Sequence, residues 1–150
     1  MIWIFKIAAF ALAFLTMEFI AWFTHKYVMH GFLWILHKSH HQKGKSFFEW
    51  NDFFFLFFGS IGAILIFTGL PEFDFRLFIG AGITAYGITY ICLHDILIHK
   101  RLKLFNKPEH TYFKAMMKAH RAHHGNIYKE DGEAFGLLWF DRKFFKNNRK

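Results

Sequence analysis

Residues 2–23, IWIFKIAAFALAFLTMEFIAWF, run apolar for 22 positions, broken only by Lys6 and Glu18. As a helix that stretch is roughly 33 Å long, enough to cross the hydrocarbon core of a bilayer. Its length and the single basic residue near its start read as an uncleaved span rather than a signal peptide. A second run, FFFLFFGSIGAILIFTGL, fills 53–70, and a third, LFIGAGITAYGITYICL, fills 77–93. Gly69 and Pro71 end the second run, and PEFDFR (71–76) makes a short acidic turn before the third. Composition agrees, because 54% hydrophobic residues and 23 Phe in 150 positions exceed what a water-soluble core of this size can hide. The expected fold is an all-α integral membrane protein, a single domain over 1–150, with three transmembrane helices and a histidine-rich helical cap. Gly59, Gly62, Gly80, Gly82 and Gly87 would let the second and third helices approach closely. GFLWIL (31–36) is too short to cross alone; it either dips into the membrane or joins a longer kinked pair of helices, and a four-span arrangement is the alternative.

Charge sets the orientation. Three spans place the loop 24–52 and the tail 94–150 on one side, and these hold four and thirteen of the 19 Lys/Arg. Lys6 and Arg76 remain for the far side. The positive-inside rule therefore puts loop and tail in the cytoplasm. The net charge of +8 suits anionic lipid, and no nucleic-acid-binding motif accompanies it, so no nucleic-acid partner is expected. The lone Cys92 rules out an intrachain disulfide. No Ser/Arg-rich transit segment is visible, which points to a bacterial cytoplasmic membrane.

Ten of the eleven histidines fall on that cytoplasmic side in two copies of one pattern. His25 and His30 form H-x4-H, followed by H-x2-H-H at His37, His40 and His41. His94 and His99 repeat the first motif, and His120, His123 and His124 the second. Each copy follows a span, which suggests an internal duplication of site chemistry, although the apolar residues do not repeat. On an α-helix, positions i, i+3 and i+4 share about 100° of arc, so each triplet forms one stripe of imidazoles. Phe113, Met116 and Met117 lead into His120 at helical spacing, so a helix is expected there. H-x4-H fits less well, since five residues rotate about 140° on a straight helix. Either the helix loosens, as a π-bulge would allow, or the two rings serve different ions.

Neutral imidazole is the commonest metal ligand. Ten rings exceed what one ion can use and suit two six-coordinate ions with a position left open. Imidazole accepts Zn, Cu, Fe and Ni alike, so spacing stops at a dinuclear, nitrogen-rich, open site.

The stretches HKYVMHGFLWILHKSHH, HDILIHKR, AHRAHH and DGEAFG resemble the bacterial β-carotene hydroxylases, within the fatty acid hydroxylase/sterol desaturase superfamily. The resemblance covers roughly residues 18–140; the N-terminus is shorter than is usual for that family. It implies a non-haem di-iron centre on His25, His30, His37, His40, His41, His94, His99, His120, His123 and His124. It implies O2 as co-substrate and β-carotene hydroxylated through β-cryptoxanthin to zeaxanthin. The second oxygen atom would leave as water, with electrons from a ferredoxin-like donor. A fatty-acid or sterol hydroxylase or desaturase with the same centre is the alternative. A transporter would carry its ligands near the midplane of its spans, not past one end; a haem-binding electron carrier is a further alternative.

Other residues have two readings each. Glu18, seven before His25, either hydrogen-bonds a ligand histidine or pairs with Thr or Tyr of another span. Asp95, beside His94, has a similar claim. Tyr90, at i−4 from His94, either gates the site or packs between helices. Asp131 and Glu133 either orient the last triplet or end a turn with Gly132. GAGITA (80–85) fits a dinucleotide fingerprint but has no preceding strand, so its glycines read as helix packing. The basic tail either docks an acidic ferredoxin or forms a lipid-facing charge belt. His110 lies outside the pattern, and KFFKNNRK (143–150) reads as a frayed basic tail.

Overall fold

The structure is a computed structural model, and it describes residues 1–42, 46–104 and 108–146. Its described residues are helical or irregular, with no strand. Helix α1 (Ile2–Phe23) continues without a break into a π-helical segment, Thr24–Phe32. Gly31 then leaves helical geometry (φ −102°, ψ −124°), and α2 (Trp34–His41) begins beyond the bend. GFLWIL is therefore the corner of a kinked helix pair. Helix α3 spans Asp52–Gly69, and α4 (Phe75–Tyr90) again runs on into a π segment, Ile91–Ile98. Helix α5 (Thr111–Gly125) carries the second histidine triplet, and Arg142–Phe145 makes one 3-10 turn. Residues 147–150 of the basic tail lie outside the described residues.

Three helices are long and apolar enough to cross a membrane: Ile2–Phe32, Asp52–Gly69 and Phe75–Ile98. The four-span alternative is not realised among the described residues. Large side chains such as Ile4, Leu12, Leu56 and Ile64 point outwards, as they would towards lipid. At the end far from the histidines, Lys6 Nζ donates to Phe73 O (2.6 Å) and Trp3, Phe73 and Phe78 pack edge to face. Asp74 caps α4 there by accepting from Arg76 N–H (2.8 Å).

Helix α4 packs against both α1 and α3, and glycine makes this possible on two of its faces. A Cβ on Gly80 would stand 2.6 Å from Gly62 O of α3, and one on Gly82 would stand 2.4 Å from Phe10 O of α1. Gly62, Gly80 and Gly82 thus serve the packing expected of them. Gly59 and Gly87 do not: nothing lies within 4 Å of a Cβ on Gly59, and the nearest atom to one on Gly87 is at 3.5 Å. Both line an open-sided cavity of about 430 Å³ among α1, α3 and α4.

Candidate metal centre

The π segments resolve the awkward H-x4-H spacing. Leu33 N–H donates to Val28 O (3.0 Å) and His99 N–H to His94 O (2.9 Å), the i→i+5 return of a π turn. With about 4.4 residues per turn, five residues bring a side chain back to within roughly 50° of its starting direction. His25 and His30 then face one way, with ring centroids 5.4 Å apart, and His94 and His99 do the same at 4.6 Å.

The ten rings converge. Donor nitrogens of His25, His30, His37, His41 and His123 lie within 4.8 Å of one another, as do those of His40, His94, His99 and His120. The first group takes four histidines from the N-terminal motifs and one from the C-terminal set; the second takes three from the C-terminal set and one from the N-terminal motifs. The residue that crosses is the middle member of each triplet, His40 or His123. Because the triplet stripe lies between two sites, i and i+4 serve one and i+3 the other.

The rings obey a pseudo-two-fold relation. His25–His37 and His94–His120 are both 4.8 Å apart, His30–His41 and His99–His124 both 4.9 Å, and His41–His123 and His40–His124 both 4.7 Å. The relation matches His124 to His41, and these two rings stack across the centre at 4.5 Å and 15°. His124 thereby completes a second pentad with His40, His94, His99 and His120.

Hydrogen bonding shows what the inner nitrogens can do. Nδ1–H of His25 donates to Phe135 O (2.9 Å), of His30 to Lys129 O (3.0 Å), and of His41 to Asn126 O (2.9 Å). That of His123 donates to Glu133 O (2.8 Å) and that of His37 to Asn51 Oδ1 (2.7 Å). His40 donates to Glu49 (2.8 Å) and His94 to Asp95 (2.7 Å). A neutral ring that donates from Nδ1 keeps only a lone pair on Nε2. Yet Nε2 atoms face each other at 3.1 Å in His25–His37, His37–His41 and His40–His94. Burial also holds the rings neutral, pushing His37 down to about 2, His41 to about 4 and His123 to about 3. Nε2 of His30, His123 and His124 is buried with no hydrogen-bond partner among the described residues.

Lone pairs aimed at one another repel unless a cation lies between them. At metal–nitrogen distances of about 2.0–2.1 Å, ligands 90–109° apart are separated by about 2.8–3.4 Å, which brackets the 3.1 Å spacings, while His99 and His120 stand slightly closer at 2.7 Å. The donor set therefore fits metal, with every identified Nδ1 contact fixing a tautomer.

Four of those contacts come from an irregular strap, residues 126–139, wrapped over the first pentad. Asp131 (φ 60°) and Ala134 (φ 57°) take left-handed backbone, an uncommon conformation for non-glycine residues, and they flank Glu133, whose carbonyl meets His123. Glu18 anchors the far end of the strap. Its Oε1 accepts from the backbone N–H of Leu138 (2.8 Å) and Trp139 (2.9 Å), and its Oε2 from Tyr86 OH (2.8 Å). Of the two readings of Glu18, pairing with a tyrosine of another span is the one observed. A Cβ on Gly136 would meet Trp139 O at 2.3 Å, so only glycine allows this turn.

The remaining candidates sort clearly. Asp95 bonds His94, and Tyr90 stacks on His94 at 4.4 Å while lining the cavity. Glu133 acts on His123 through its carbonyl, its carboxylate pairing with Lys143 instead. His110 caps α5, accepting from Tyr112 N–H (3.3 Å), apart from the cluster. Asn51 and Glu49 were missed from sequence, and so was Arg101, whose guanidinium binds Glu49 (3.1 Å) and Asp52 (2.8 Å). Nothing in their spacing marks them. The strap's contacts use backbone carbonyls, which every residue owns.

Three helices able to span a membrane thus carry a buried cage of imidazoles at one end, the makings of a membrane-embedded metalloprotein. The fatty acid hydroxylase family matches residues 10–145, and the chain belongs to that family and is a monooxygenase. A β-carotene hydroxylase of Pantoea ananas is 39% identical over 139 residues, covering 93% of this chain and 79% of that one. One of Pseudescherichia vulneris is 39% identical over 128 residues, covering 85% and 73%. The chloroplastic β-carotene hydroxylase 1 of Capsicum annuum is 35% identical over 138 residues, covering 86% of this chain but 42% of that longer protein. No solved structure matches the chain.

Proposed function

We propose that the chain hydroxylates C3 of the β-ionone ring of carotenoids, taking β-carotene to β-cryptoxanthin and zeaxanthin. The observation that carries this reading is the cavity between α1, α3 and α4. Its walls are Met17, Ala21, Phe55, Phe58, Ala63 and Phe67, with His25 of the first pentad at one end. The α3 residues along it, from Asp52 to Phe67, span about 22 Å of helix, the shape of a rod-like hydrocarbon. Such a substrate offers few polar atoms to grip, so apolar walls hold it and the position of the cavity's end selects which carbon meets the site.

The ten histidines would hold two iron ions. Those ions would supply the O2 activation that no side chain can provide against an unactivated C–H bond. Overall, the C–H substrate, O2, two electrons and two protons give the alcohol and water. Residues of the chain hold the rings neutral, fix their tautomers and exclude bulk water from the apolar cavity. Electrons come from a ferredoxin-like acidic protein that docks on the basic cytoplasmic face, since the chain shows no flavin or nicotinamide motif of its own. The chain would lie in a bacterial cytoplasmic membrane with its histidine cluster inside.

The experiment is expression in a host that accumulates β-carotene, followed by pigment and lipid analysis. Cryptoxanthin and zeaxanthin are expected. Inserted, metal-loaded protein that leaves the pigment unchanged with a reductant present would refute the carotenoid assignment. New hydroxylated or desaturated lipids would then indicate the fatty-acid or sterol alternative.

A further inference from the structure

The two-fold relation among the rings stops at their outer nitrogens. In the first pentad all five Nδ1 atoms donate to neutral acceptors: four backbone carbonyls and Asn51 Oδ1. In the second, His94 and His40 donate to the carboxylates of Asp95 and Glu49. Their counterparts, His25 and His123, donate to Phe135 O and Glu133 O. At two matched positions, then, an anion stands where the other site has a peptide oxygen. Asp52 adds a third carboxylate near the second pentad, and Arg101 offsets one of the three, binding Glu49 and Asp52 and lying 3.9 Å from Asp95. Among the described residues no carboxylate hydrogen-bonds a ring of the first pentad.

A carboxylate that takes the Nδ1–H bond pushes electron density towards Nε2, and its negative charge adds to the field at the ion. A carbonyl does the first weakly and the second not at all. The two positions also differ in their access to substrate. His25 is the cluster histidine that lines the cavity, together with Phe135 of the strap; of the second pentad's surroundings Asp95 and Asp52 reach it, but no ring does.

We propose that the two metal positions are unequal. The position on His40, His94, His99, His120 and His124 binds its ion tightly, and the position on His25, His30, His37, His41 and His123, which faces the cavity, binds more weakly and exchanges. This rests on the reading of the ten histidines as ligands of two metals. Outer partners of ligand histidines are typically worth about 10–100-fold in affinity each, so a gap of at least about tenfold survives the offset by Arg101.

The test is titration of the metal-free full chain in detergent with Co2+, followed by calorimetry and visible absorption. Two steps are expected, with dissociation constants at least about tenfold apart. His25→Ala should abolish the weaker step and His94→Ala the tighter one. The double variant Glu49→Gln/Asp95→Asn should weaken the tighter step by about tenfold or more and leave the weaker one in place. Should that double variant fail to fold, Asp95→Asn alone is measured the same way. Two ions taken up in a single step would overturn the proposal and leave the two-metal reading standing, as would loss of the tighter step in His25→Ala. Uptake of one ion or none would overturn both.

Discussion

Glu18 is a carboxylate inside a membrane span, 8% exposed, yet it touches no histidine in the hydrogen-bond network. Its three acceptor contacts join α1, α4 and the strap, so Glu18→Ala tests whether the strap is held from below. The substitution leaves Tyr86 OH and the N–H groups of Leu138 and Trp139 without their acceptor. Hydrogen bonds to a charged partner are worth about 1.5–3 kcal/mol each. Tyr86 is 3% exposed and cannot turn to water, whereas Trp139 is 84% exposed. Counting the Tyr86 and Leu138 bonds fully and the third lightly, the expected loss is about 3–6 kcal/mol. For a chain of this size that lowers the unfolding midpoint by roughly 10 °C. Glu18→Gln keeps an oxygen for the two N–H groups and an amide that can donate to Tyr86, so it should lose about 1–2 kcal/mol. The assay is thermal unfolding in detergent with metal content measured alongside. Because strap carbonyls fix His25, His30, His41 and His123, the alanine variant should also shed metal from the first pentad. A Glu18→Ala protein that melts within about 2 °C of the parent and retains its full metal content would refute this account of the strap.

Other substitutions probe other links. His40→Ala and His123→Ala should each reduce bound metal by one ion, from the pentad each crosses into, as seen by metal analysis; unchanged stoichiometry would contradict the crossed assignment. Gly80→Leu and Gly82→Leu should each cost at least about 1–3 kcal/mol, because the atoms in the way are backbone of α3 and α1; melting curves check it. Gly59→Phe has free space at its Cβ and lines the cavity, so it should block turnover of the proposed carotenoid substrate while the protein melts normally. For the metal-free chain, burial lowers His37, His41, His123 and, to about 3, His99 below the unfolded value near 6.5. The unfolded chain then binds more protons below that value. Stability should be full above about pH 6.5 and fall on acidification towards pH 4, and a melting temperature that is flat across that range would refute it.

Much of this protein was legible before any coordinates. Hydropathy is a local property that lipid reads directly, so three runs of apolar residues announced three spans, and the excess of Lys and Arg collected loop and tail on one side. The ten histidines stood out because residue type and spacing are written in the chain. What sequence left open was how they divide. Spacing could not reveal that the H-x4-H segments are π-helical, nor that His40 and His123 change sides, because the direction of a ring depends on the turn it stands on. It also misplaced Gly59 and Gly87 among packing glycines, since a small residue at a cavity wall reads like one at a helix crossing.

Sequence alone determined the solvent this chain folds in, the grouping of its basic loops and the histidines that make up its candidate metal centre. Tertiary structure decided which histidines fall in each group, which oxygen meets each identified Nδ1, and where the apolar cavity ends. The physical reason is range. Phe135 O meets His25 across 110 residues and Leu138 N–H meets Glu18 across 120, through backbone groups that look alike at every position until the fold brings one of them to bear.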